Sequence, residues 1–168
     1  MTRSADPAFL RTVHLFKDLA EPDLAALALS FRDRRVKKGE VLFREGDLGA
    51  ELYLIREGAV IVSKLVTGRV EQVLARMGAG EIFGEMSLFD EAPRSATVQA
   101  EIDSVLFSLD RESLRRLIET RPHAAAAFLF RLVQVFISRL RATGNLVAEV
   151  TRWGLEATGM DLESRLPG

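Results

Sequence analysis

The chain of 168 residues has no cysteine, two histidines, one tryptophan, one tyrosine and five prolines. Without cysteine there is no disulfide framework, no thiolate nucleophile and no zinc ribbon. His14 and His123 fall in helix-patterned segments, far apart and with no carboxylate at ligand spacing, so both read as surface or capping residues. No Gly-x-Ser-x-Gly elbow is present to make a serine nucleophile. Catalysis is therefore not expected, and neither is a metal. Charge of one sign is lacking too: 23 Lys and Arg face 24 Asp and Glu, a net of -1, which leaves no broad basic field for nucleic acid. No apolar run approaches the length needed to cross a bilayer, and the segment from Met1 to Pro7 lacks the apolar centre of a secretory signal. The expectation is a soluble, cytoplasmic protein without membrane insertion.

What is present suits one domain with a full core and a tail. Over residues 8–31, Phe9, Leu10, Val13 and Phe16, then Leu24, Leu27, Ala28 and Phe31, recur at helical spacing, with Glu21-Pro22-Asp23 marking a new start. Two short helices are predicted within an N-terminal segment 1–33. From 34 to 109 the texture becomes short β-branched and apolar runs cut by glycines, the pattern of a rolled antiparallel sheet. The runs 52–55, 60–66, 70–77, 97–100 and 105–109 read as strands, and Arg56-Glu57-Gly58-Ala59 as a hairpin tip. Residues 110–150 are helical: Asp110 stands as an N-cap, and Pro122 ends one helix and opens a long second one. The predicted class is α+β, a jelly-roll-like antiparallel β-roll flanked by N-terminal helices and a long C-terminal helix.

Along that last helix Leu129, Val133, Phe136, Leu140, Thr143, Val147 and Val150 alternate steps of four and three, a coiled-coil seam. Phe128, Leu132, Val135 and Ile137 make other faces apolar as well. The seam predicts a homodimer through 122–150, with packing on the chain's own sheet as the plainer alternative. Gly144 interrupts the seam, as a bend or a close contact. The tail 151–168 carries the sole tryptophan, Trp153, as a surface anchor or a lid, and Leu155, Met160, Leu162 and Leu166 as a surface for a partner or a cover for the core.

The most informative stretch runs from Phe83 to Val98. Phe83-Gly84-Glu85-Met86-Ser87-Leu88 places an acid at a turn, and Pro93-Arg94-Ser95-Ala96-Thr97-Val98 returns a guanidinium nine residues later, opening a strand. The segment is too apolar for a solvated loop, so both charges belong at a wall, and the arrangement suits a small phosphate ester.

This run closely resembles the phosphate-binding cassette of the cyclic nucleotide-binding domain family, Phe-Gly-Glu-x-x-Leu followed by Pro-Arg-(Ala/Ser/Thr)-Ala-x-Val, with every fixed position occupied. The resemblance spans roughly 9–148 and includes the glycine turns at Lys38-Gly39-Glu40, Arg44-Glu45-Gly46-Asp47 and Met77-Gly78-Ala79-Gly80-Glu81. It implies that Arg94 pairs with the cyclic phosphate, that Glu85 accepts from the ribose 2'-hydroxyl, and that Phe83, Gly84, Met86, Ser87, Ser95 and Ala96 complete the cassette. Ser95 leaves the base open; it resembles the bacterial catabolite-activator type, which favours cyclic AMP over cyclic GMP. By the same resemblance Thr143, next to Gly144 and Asn145, stands at the adenine-reading end of the long helix, although Gly144 lacks a hydroxyl; the alternative is a polar residue tolerated in the seam. The family's transcription factors carry a DNA-binding domain, for which 151–168 is too short.

The resemblance implies a stand-alone cyclic nucleotide sensor, with no cofactor beyond its ligand, a shape change as output and an unknown effector protein as reader. The alternatives are a non-binding scaffold or interaction module, and the sensor subunit of a kinase or channel complex.

Overall fold

Asp6 accepts a hydrogen bond from Ala8 N at 2.9 Å and Pro7 takes the first helical position, which starts α1 (Pro7–Thr12). A second proline near the N-terminus opens α2 (Glu21–Ser30). The computed structural model describes residues 5–17, 19–67 and 70–157. Two units divide the chain, Met1–Phe128 and Leu129–Gly168.

Among the described residues of the first unit, eight strands form two antiparallel sheets. One has the order β1 (Arg32–Val36), β8 (Ser104–Asp110), β3 (Glu51–Glu57), β6 (Ile82–Phe83); the other β2 (Val41–Phe43), β7 (Thr97–Ala100), β4 (Ala59–Thr67), β5 (Val70–Gly78). The expected β-roll with its flanking helices is thus present. Val36, Tyr53, Ile55, Val60, Phe83, Val98 and Leu106 meet in the interior. Alternation sends Phe107 the other way, to Phe9 at 5.7 Å and Phe31 at 6.4 Å, so β8 is buried on both faces. Phe16 continues this outer cluster, stacking on Phe128 at 5.9 Å.

One expectation needs correcting. Arg56-Glu57-Gly58-Ala59 is not a hairpin tip: β3 pairs with β8 and β6, and β4 with β5 and β7, so the chain crosses at Gly58 from one sheet to the other. Ser104 Oγ holds this corner, accepting from Ala59 N at 3.1 Å and donating to Ile102 O at 2.8 Å. A glycine turn between two strand-like runs looks the same locally whether it closes a hairpin or changes sheets.

Asp110 caps α3 (Arg111–Thr120) as expected, its carboxylate accepting from Ser113 N at 2.6 Å. Pro122 then begins α4 (Pro122–Ala157), whose first turns bury Ala124, Ala125 and Phe128 in the first unit. In the second unit α4 continues without a break past Gly144, and a Cβ there would meet nothing within 4 Å. No contact within the described residues of this chain explains that glycine. Val133, Leu140, Val147 and Val150 of the seam are exposed on this chain, as is Trp153.

The expectation about bilayer length also needs correcting. Arg131 and Arg139 prevent an uninterrupted apolar run, yet the helix Pro122–Trp153 is long and apolar enough to cross a membrane by length and composition. Met160, Leu162 and Leu166 lie outside the described residues, as does the side chain of Leu155.

Candidate functional site

Strand β6 is two residues long and ends at Gly84, whose φ of 72° turns the chain into the left-handed region. A short 3₁₀ helix, Glu85–Leu88, follows. Position 84 needs glycine twice over: for that φ, and because a Cβ would come within 2.7 Å of Arg94 Nη1 and 3.0 Å of Glu51 O. The tight turn buries Glu85 and Ser87 and leaves Met86 and Phe89 outside, each more than half exposed.

Arg94 reaches the same place from the other arm of the cassette. Arg94 N donates to Asp47 O at 2.8 Å and Gly46 N donates to Arg94 O at 2.9 Å, which fixes the backbone before β7 begins. The side chain is 6% exposed. Nη1 donates to Glu51 O at 3.0 Å and Gly84 O at 3.1 Å, and the guanidinium lies 4.0 Å over the Phe43 ring. Nε is buried with no hydrogen-bond partner among the described residues. Leaving such a donor unpaired costs about 1 to 3 kcal/mol. Burial pushes the Arg94 pKa down, while Tyr53, Glu51, Glu85 and Asp47 act to raise it.

The Nε and Nη2 edge faces Gly49. A Cβ at 49 would fall 2.3 Å from Nε and 2.5 Å from Nη2, so no side chain can stand at 49 with the fork in this place. That role is not visible from sequence, where Gly49 resembles any loop glycine.

Beneath the cassette, Tyr53 stacks between Phe83 at 5.2 Å and Phe43 at 6.1 Å. Its hydroxyl donates to Glu51 Oε2 and accepts from Arg34 Nη1 at 2.9 Å. Burial first, then the Glu51 carboxylate, pushes its pKa up to about 12.

A second arginine, missed in the sequence, holds the far end of the turn. Arg111, the first residue of α3, donates to Leu88 O at 3.2 Å, Ser87 O at 2.9 Å and Asp90 O at 3.0 Å, and pairs with Glu91 at 3.0 Å. Carbonyls at the end of a helical turn carry partial negative charge, which suits a cation there. A lone arginine after an N-cap offers no signal of this role until α3 is placed beside the cassette.

The other candidates are placed as follows. Phe83 is buried in the core, Ser95 is exposed and Ala96 half-buried, flanking Arg94. Thr143 belongs to the second unit, where its hydroxyl donates to Arg139 O at 3.0 Å. His123 is exposed, but the fold sets its Nδ1 2.7 Å from Asp23, a carboxylate distant in sequence. No group of three or more metal-binding side chains occurs among the described residues.

A family model for the cyclic nucleotide-binding domain matches residues 33–121. The chain is 45% identical over 121 residues to the cyclic AMP receptor protein of Thermus thermophilus, covering 70% of this chain and 56% of that protein. It is 34% identical over 138 residues to a CRP-like cAMP-activated global transcriptional regulator of Mycobacterium tuberculosis, covering 81% and 59%. The chain therefore spans somewhat over half the length of these curated relatives. Among solved structures, a cyclic nucleotide-binding domain from Methylobacillus flagellatus superposes with a TM-score of 0.77 at 28% identity, covering 89% of this chain and 88% of the other.

Proposed function

The chain belongs to the cyclic nucleotide-binding domain family, and from that premise we propose that it is a cytoplasmic sensor of a purine cyclic monophosphate, cyclic AMP first, which changes shape on binding and catalyses nothing. The observation that carries this reading is the buried, unpartnered Nε of Arg94 beside the missing Cβ of Gly49. A planar fork with one edge unspent in a desolvated place matches two oxygens of a phosphodiester, and a phosphate there would supply the partner that Nε lacks.

Glu85 opens the 3₁₀ turn, buried and next to the Gly84 carbonyl that Arg94 holds, and in this reading accepts from the ribose 2'-hydroxyl. The acid also repels any further phosphate, so ATP binds more weakly than cyclic AMP. Main-chain amides at the start of the 3₁₀ turn, with that of Ala96, face the anion. Phe83, Gly84, Met86, Ser87 and Ser95 shape the remaining walls. The names of the Thermus and Mycobacterium relatives refer to cyclic AMP, which supports adenine as the base.

The reading includes a homodimer through α4, since Val133, Leu140 and Val147 recur every seven residues and all stand exposed on this chain. Thr143, on the same helix, then has a place near the adenine. The moving part is α3 with its Pro122 joint, tied to the cassette by Arg111.

Titration calorimetry with cyclic AMP, cyclic GMP, ATP and a cyclic dinucleotide tests the proposal. Saturable heat with a cyclic mononucleotide, weak or absent with the other two, is expected. No binding of either cyclic mononucleotide at millimolar concentration overturns it in favour of a scaffold.

A further inference from the structure

Helix α2 is apolar on two sides. Leu24, Leu27 and Ala28 face inward and are buried. Pro22, Ala25, Ala26 and Leu29 also recur at helical spacing, but on the opposite face, where Leu29 is 76% exposed. A short helix apolar on both sides has one side whose partner is not its own core. Across from this stripe α3 presents Ser113, Arg116, Leu117 and Thr120 at the same spacing, and the two helices enclose a groove of about 540 Å³. It is separate from the cassette.

The rim of the groove is cationic. Arg32, Arg116 and Arg121 line it, and no carboxylate does. Arg32 pairs with Asp110 at 3.1 Å and Arg116 reaches Glu112 only at 3.9 Å, while Arg121 makes no side-chain ion pair among the described residues. We propose that this groove between α2 and α3 docks a segment of a partner protein that brings an aliphatic side chain onto Leu29, above a floor at the buried Leu117, and carboxylates to the three arginines.

Charge and shape select that occupant. A second copy using the same face would bring three more arginines against these three, and like charges across a two-fold contact oppose pairing. A small molecule needs a site that encloses most of its surface, whereas most of the residues here stand open to solvent. An open, two-helix groove with an apolar floor suits a short amphipathic segment, and arginine beside aliphatic surface is typical of contacts that carry binding energy. Helix α2 has ten residues, about 15 Å of length, enough for two to three turns of a docked helix.

The probe is a short synthetic helical peptide of alternating glutamate and leucine pairs, titrated into the full chain and followed by amide NMR shifts. Shifts confined to α2, α3 and the flanking Arg32 and Arg121 are expected. Replacing glutamate by lysine in the peptide should abolish them, and Arg116→Glu with Arg121→Glu should weaken binding about tenfold or more. Leu29→Asp, at an exposed position that leaves the fold intact, gives the same loss if the double variant misfolds. Arg94→Ala should leave peptide binding unchanged, which separates this proposal from the reading of the cassette. Absence of shifts at millimolar peptide, equal binding of the lysine peptide, or loss of self-association in Leu29→Asp each overturns it, the last by making a second copy the occupant.

Discussion

Gly49 lies against the guanidinium of Arg94 so closely that a Cβ at position 49 would sit 2.3 Å from Nε. Arg94 cannot yield easily, because Nη1 is bonded to two carbonyls and the plane rests on Phe43. Gly49→Ala should therefore displace the fork and cut cyclic AMP affinity at least about tenfold, a cost near 1.4 kcal/mol. The unfolding midpoint should fall as well, because the displaced fork gives up its carbonyl bonds and its place on Phe43. Calorimetry showing full affinity in the alanine variant would mean that the fork is not where ligand binds.

Arg94→Ala removes the cation itself. Losing one partner of a buried charge contact costs about 2 to 5 kcal/mol, so affinity should fall between roughly thirtyfold and several thousandfold. Arg94→Lys should recover little, since an ammonium cannot present two parallel donors. The same titrations measure both variants.

Arg111→Ala deletes three bonds to the carbonyls of Ser87, Leu88 and Asp90. The site is partly exposed, so a cost of about 2 kcal/mol is expected. For a domain of this size that lowers the midpoint by roughly 4 to 8 °C by differential scanning fluorimetry. Amide exchange over residues 85–91 should quicken more than over the sheets. Uniform quickening would argue for general destabilisation instead.

Tyr53 is the sole tyrosine, so its ionisation can be read directly by ultraviolet absorbance. Its midpoint should lie near 12, against about 10 for a free side chain. The folded pKa is raised, so the neutral form is the one the fold favours. The stability tied to it is complete below pH 10 and is lost as pH climbs through about 12. Tyr53→Phe should lack that alkaline loss, and a midpoint near 10 in the native protein would contradict the buried contact with Glu51.

Leu140→Glu places a charge in the middle of the exposed stripe of α4. Sedimentation should show a dimer for the parent chain and a monomer for the variant at about 10 micromolar. A monomeric parent would remove the dimer from the proposal.

Much of this architecture could be read from residue order because its determinants are local. Asp110 caps, Pro122 restarts a helix, Gly84 turns, and the continuous apolar runs of β3 and β8 mark strands buried on both faces. The cassette was legible because its pattern is contiguous. What escaped depends on contacts between distant segments. The corner at Gly58 needs knowledge of which strands pair. Gly49 and Arg111 act only once loop, turn and helix meet, and the 100 residues between Asp23 and His123 hide their contact. Strand β6, at two residues, is too short to show any period.

The grip of Arg111 is on main-chain oxygens at three of its four contacts. Main-chain oxygens are common to all amino acids, so the clamp is blind to which letters occupy the loop it secures. Residues 86, 89 and 92 can thus be exchanged to retune what the rim of the cassette favours, with the mechanical link to α3 left in force. Breadth of recognition and transmission of the signal are in this way separable traits, open to change one at a time.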